Sequence, residues 1–118
     1  MCGIVGYVGS KSVVSVIING LRKLEYRGYD SWGLALACDD EIALLRRVGR
    51  IGSAEGTAIG SRSCRAGVAH TRWATHGAPT EANAHPHLDC TGRIAVVHNG
   101  IIENHAALRS RLQGLGHV

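Results

Sequence analysis

Three short segments, far apart in the chain, carry residue types able to open an acyl bond. The first is Cys2, directly behind the initiator methionine. A small second residue favours removal of Met1, which would leave a thiol and a free α-amine on one residue. Their reference pKa values, about 8.5 and about 7.7–8.0, let each exchange a proton near neutral pH. One residue could then supply nucleophile and base together, as in N-terminal threonine enzymes. A cysteine at position 2 also arises by chance. The second segment is His98-Asn99-Gly100. An Asn side-chain amide beside a Gly N–H offers two donors for one developing oxyanion, while Asn-Gly is equally the signal of a type I′ hairpin turn. The third is His70-Thr71-Arg72-Trp73-Ala74-Thr75-His76-Gly77. The Arg72 fork suits a carboxylate, and Trp73 can cover a small ligand while its indole N–H donates. The plainer reading is a surface Arg beside a partly buried Trp.

Histidines at 70, 76, 85, 87 and 98 raise the question of a metal, since His85-Pro86-His87 is an H-x-H pair able to chelate. No carboxylate or cysteine stands at helix-type ligand spacing such as H-E-x-x-H, so satisfied or solvent-facing histidines and no metal are expected. The four cysteines, at 2, 38, 64 and 90, form no C-x-x-C pair, which argues against structural zinc. A cytosolic chain is not expected to build a disulfide framework. Cys38 and Cys64 therefore read as small buried hydrophobes, and Cys90, in a polar stretch, as exposed.

These segments must be held by an alternation of strands and helices. Residues 3–9 read as a Gly-interrupted strand, where glycine often marks a close backbone approach. From Ser12, a plausible N-cap, Val14, Ile17, Ile18, Leu21 and Leu24 repeat at helical spacing, with Gly28 beyond the end. Residues 33–38 and 42–48 read as strands joined by a hairpin loop at 39–41, and residues 50–60 as a short helix starting at Ser53. Residues 66–71 read as another strand. The long polar segment 72–92 reads as functional or unstructured. Residues 93–98 read as a β-branched strand, and Asn104 as the N-cap of a helix to about Leu112 with Leu108 and Leu112 on one face. The order implies an α+β layered fold.

The 118 residues point to one domain or a piece of one. At 45% hydrophobic the chain can build a core, although Phe is absent, so Val, Ile, Leu and Ala must fill it. The net charge of +4 is dispersed along the chain with no block of basic and aromatic residues, so no nucleic-acid partner is expected. No apolar run approaches the roughly 20 residues of a membrane span, and no signal-peptide pattern opens the chain. No membrane association and a cytoplasmic location are the expectation.

Together, Met1-Cys-Gly-Ile-Val-Gly, Leu24-Glu-Tyr-Arg-Gly-Tyr-Asp-Ser, His70-Thr-Arg-Trp-Ala-Thr-His-Gly, Asn83-Ala-His-Pro-His and Val97-His-Asn-Gly-Ile-Ile-Glu-Asn-His occur in a fixed order. In this the chain resembles the glutaminase domain of the glutamine–fructose-6-phosphate aminotransferase (glucosamine-6-phosphate synthase) family, a class II amidotransferase. The resemblance implies an N-terminal-nucleophile αββα sandwich, with residues 1–118 as part of that domain. It implies Cys2 as nucleophile with its α-amine as proton shuttle, and Asn99 with the Gly100 N–H as oxyanion donors. Arg72 would hold the α-carboxylate of L-glutamine, with Trp73, Thr75 and His76 in the closing loop and Arg27 in a loop that gates Cys2. Ammonia would pass to a sugar-phosphate isomerase unit making glucosamine 6-phosphate for amino-sugar synthesis. No cofactor is implied, and a homo-oligomer is compatible with the family.

Two departures carry expectations of their own. The family usually has a small residue where Trp32 stands, near the expected gate, and a bulky indole there could alter loop packing or overfill a pocket. The family's Thr-Asp-Thr segment, whose Asp holds the glutamine α-amine, lies beyond Val118, as do the remaining strands and the isomerase region. The chain by itself is expected to be a poor or inactive glutaminase, or a binding or regulatory fragment that a second piece completes, with open sheet edges.

Overall fold

In a computed structural model of the chain, residues 1–52 and 62–118 are described. The short helix expected to start at Ser53 lies outside them. Helix α1, Val13–Leu24, begins where expected: the Ser12 side chain accepts from the Ser15 N–H at 3.5 Å. Val13, Ile17, Ile18 and Leu21 form its buried stripe, and Arg22 and Lys23 lie in its last turn, where cations complement the helix dipole.

Four strands, β1 (Gly3–Val8), β2 (Ser31–Cys38), β3 (Glu41–Val48) and β4 (Cys64–Arg72), make an antiparallel sheet in the order β1-β4-β2-β3. The fold is thus α+β, as the alternation implied. Side chains alternate across the sheet. Trp32, Leu34, Leu36 and Cys38 of β2 join the stripe of α1 in one core with Ala69 and Leu45. Trp32 is only 1% exposed and packs in the core.

The opposite face of the sheet has two regions. At one end Gly6, Val8, Ala35, Ala37, Ile42, Ala66 and Val68 line a shallow apolar groove of about 430 Å³. At the other end His70 and Arg72 of β4 project towards the polar segment that follows. Gly33 of β2 lets that segment lie down on the sheet: a Cβ there would sit 2.3 Å from the His85 carbonyl oxygen.

Two expectations are corrected. The strand expected over 93–98 shrinks to β6 (Ala95–Val96), paired with β5 (His87–Leu88). Its backbone donors are taken elsewhere. Arg93 and Ile94 donate to Asp89 Oδ1, each at 2.8 Å, and His98 donates to His85 Nδ1 at 3.3 Å. A carboxylate-centred turn has captured N–H groups that a ladder would need. Cys38 and Cys64 are not separate buried thiols but a disulfide, with Cα atoms 3.9 Å apart, because the register of β2 on β4 sets them opposite each other.

Helix α2, His105–Gly114, follows Asn104, but the Asn104 side chain makes no capping bond. It buries no residue, and Leu108 and Leu112 are 40% and 47% exposed. Among the described residues no helix is long and apolar enough to cross a membrane.

Candidate active site

The antiparallel pairing of β1 with β4 sets Gly3 opposite Thr71, and the Gly3 N–H donates to Thr71 Oγ1 at 3.1 Å. Cys2 is thereby placed beside the residue that leaves β4. Its Sγ accepts from the Trp73 N–H at 3.4 Å and lies 3.8 Å from the Trp73 carbonyl oxygen. Met1 is 79% exposed, open to removal.

Cys2, Arg72, Trp73, Thr75, His76 and Gly100 border one cavity of about 410 Å³, a size typical of small-molecule sites. Asn99, between the lining residues His98 and Gly100, is tied to the rim: its Nδ2 donates to the Cys2 carbonyl oxygen at 3.3 Å. Asn99 and Gly100 do not form a hairpin turn, since β6 pairs only with β5 and the chain runs on into α2. Gly100 has φ +132°, a conformation closed to L side chains.

Arg72 is buried, at 8% exposed. Its guanidinium donates to the carbonyl oxygens of Ala78 at 3.1 Å and Gly77 at 3.3 Å, and to that of His76. Among the described residues no carboxylate pairs with it. A buried cation satisfied only by neutral carbonyls leaves its cavity attractive to an anion. His76 Nδ1 and Thr75 Oγ1 are 3.1 Å apart on the loop Arg72 organises. Arg27 does not border the cavity. Its neighbour Gly28 does the touching: a Cβ there would lie 2.8 Å from the Arg72 carbonyl carbon and 2.9 Å from the Trp73 nitrogen.

Several site residues were not assigned by sequence reasoning. Asp30 accepts from the Ala74 N–H and from Ser31 Oγ, and its own N–H donates to the Arg72 carbonyl. It therefore pins the loop behind Trp73. Asn83 Nδ2 donates to the Ala78 carbonyl at 3.0 Å. His70 and His85 stack with ring centroids 4.4 Å apart, and His87 meets His85 edge-on at 4.5 Å. Burial, reinforced by each other and by Arg72, pushes the His85 pKa down to about 4. Burial also lowers His70, and His87 is lowered by burial and then by Arg46 and Arg72. Burial thus disfavours the charged form of each ring, and among the described residues no group of three metal-binding side chains forms. The histidines stood out as a cluster in the sequence; their stacking depends on segment 84–87 folding back over Gly33.

No protein-family model matches the chain. Glutamine–fructose-6-phosphate aminotransferase [isomerizing] of Streptomyces coelicolor is 55% identical over 119 residues, covering 99% of this chain and 19% of its own length. The enzyme of that name from Pseudomonas aeruginosa is 54% identical, covering 100% of this chain and 20% of its own. The one from Thermus thermophilus is 50% identical, covering 99% and 20%. The chain spans about a fifth of the length of the curated relatives it matches.

Proposed function

The chain belongs to the glutamine–fructose-6-phosphate aminotransferase family, matching its N-terminal domain, and on that premise we propose that it carries the family's glutamine-hydrolysing site. One observation carries the reading. Cys2 and a buried Arg72 without a carboxylate partner among the described residues line one cavity large enough for an amino acid, and the Asn99 amide is hydrogen-bonded to Cys2 at its rim.

In this reading L-glutamine enters with its α-carboxylate towards Arg72 and its side-chain amide towards Cys2. Met1 has been removed, and the Cys2 amine takes the thiol proton as sulfur attacks the amide carbon. Asn99 Nδ2 and the Gly100 N–H hold the oxyanion, a contribution of about 3–4 kcal/mol per donor. The C–N bond breaks, the amine returns the proton to the leaving nitrogen, and ammonia departs from a thioester. Water, deprotonated by the same amine, then releases glutamate and regenerates the thiol. Trp73, Thr75 and His76 close the cavity, and the Arg27-Gly28 turn pressing on the Trp73 backbone gates it. No cofactor takes part in these steps.

Residues 1–118 would form part of a class II glutaminase domain. The apolar groove on the sheet supports an αββα sandwich, because such a face needs a second layer. Ammonia would go to a sugar isomerase unit for glucosamine 6-phosphate synthesis in the cytoplasm. A second reading, a site that hydrolyses little until another piece completes it, is favoured by α2, which buries none of its residues.

The test is protection. L-Glutamine should slow alkylation of Cys2 by a general thiol reagent in the wild type, and Arg72→Gln should remove that protection. Alkylation indifferent to glutamine would refute a glutamine site.

A further inference from the structure

Asn99 lies on an exposed stretch between β6 and α2, yet an oxyanion donor must be aimed. The side chain that aims it comes from the middle of the sheet. His70 is 1% exposed, and its Nε2 lies 2.7 Å from Asn99 Oδ1. That oxygen has no proton to give, so His70 Nε2 carries the hydrogen and donates it. With Oδ1 engaged, Nδ2 must face the other way, where it donates to the Cys2 carbonyl. The opposite amide orientation would set two donors against each other at His70 and two oxygens against each other at Cys2. The ring itself is fixed from two sides. The ladder of β4 holds its backbone between β1 and β2, and His85 stacks on it at 4.4 Å with 23° between the planes. Its Nδ1 is buried without a hydrogen-bond partner.

We infer that His70 is the positioning residue of the site: a buried, stacked imidazole that locks the Asn99 amide with its nitrogen turned towards Cys2. The inference rests on the glutamine-hydrolysis reading for its consequence and on geometry alone for the lock. His70 shares the lining of the cavity with Cys2 and Arg72, but its hydrogen bond goes to Asn99 and not to the sulfur or the Arg72 guanidinium. Its effect passes through Asn99, so losing it lowers the rate of attack at Cys2 and leaves glutamine capture at Arg72 intact.

The experiment follows alkylation of Cys2 in the full chain by a glutamine analogue bearing a diazoketone in place of the amide. Maximal rate and half-saturating concentration are measured separately. His70→Phe keeps a flat ring against His85 but has no donor, and it should lower the maximal rate about tenfold or more with half-saturation unchanged. His70→Gln returns an N–H near the Nε2 position and should recover much of the loss. Nitrogen NMR of the wild type should find His70 protonated at Nε2 only, and the Asn99 amide signal displaced in His70→Phe. A wild type that fails to react overturns the hydrolysis reading, and with it the catalytic consequence claimed for His70. A reactive wild type with His70→Phe equally fast, or with His70→Gln no better than His70→Phe, overturns this inference alone. An Asn99 amide signal that ignores the substitution overturns the lock.

Discussion

Four atoms meet at the mouth of β4: the sulfur of Cys2, the backbone nitrogen of Trp73 that donates to it, and the two ends of the Asn99 amide. Removing an oxyanion donor typically lowers turnover about 10²–10³-fold. Asn99→Ala should therefore slow diazoketone alkylation of Cys2 by that order, whereas Cys38→Ala, in the core, should leave the rate of the folded protein unchanged. Comparable slowing in both would contradict the assignment. The histidine stack gives a pH prediction. The folded-state pKa of His85 is lowered to about 4 from 6.5, so between those values the unfolded chain binds the extra proton. Stability is fully present above about pH 6.5 and is lost as pH falls towards 4. Thermal melts across that range should show Tm dropping on acidification, and His85→Phe should flatten the slope. Cys2, Arg72 and Asn99 stood out in the sequence as candidates because their residue types suggest chemistry, and the fold sets them close together. His70 and Asp30 were not, because orienting another side chain requires only a partner brought close by folding.

Elements explain why those atoms meet. β1 delivers Cys2 only because its register on β4 is fixed, and the segment 84–87 reaches the site only because Gly33 offers bare backbone beneath it. Gly33→Ala should lift His85 from the sheet, lowering Tm and slowing Cys2 alkylation together; circular dichroism melts beside the labelling rate would check this. A variant with unchanged melt and rate would show the contact to be dispensable. The Asp89 turn makes a second claim. Its carboxylate, held down to about pKa 2 first by the Thr91 hydroxyl and by backbone donors at Ile94, Thr91 and Arg93, has replaced a strand. Asp89→Ala should release protection of the Arg93 and Ile94 amides in hydrogen exchange. The start of α1, the β2–β3 hairpin and the span of β4 were legible from apolar periodicity and turn residues. The strand expected over 93–98 was not corrected by any local signal, since β-branched composition does not reveal that an upstream aspartate will capture its N–H groups.

Among the described residues, α1 backs one face of the four-stranded sheet with the core between them, and the candidate site lies on the other face. Ile17, Leu21, Leu34 and Leu36 are fully buried, so Ile17→Ala should cost about 2–5 kcal/mol, read by denaturant unfolding. Loss of that order should leave the alkylation rate of the remaining folded fraction unchanged, because α1 touches none of the reacting atoms. The α+β class followed from the alternation of periodicities. The pairing of Cys38 with Cys64 did not, because it depends on strands distant in sequence becoming neighbours. The most direct trial of the account is intact-mass and peptide mass spectrometry of the purified chain after incubation with the diazoketone analogue. The account predicts a chain lacking Met1 and carrying one adduct, on Cys2, with Cys90 unmodified. A chain that retains Met1, or one whose adduct falls on Cys90 and not on Cys2, would contradict it.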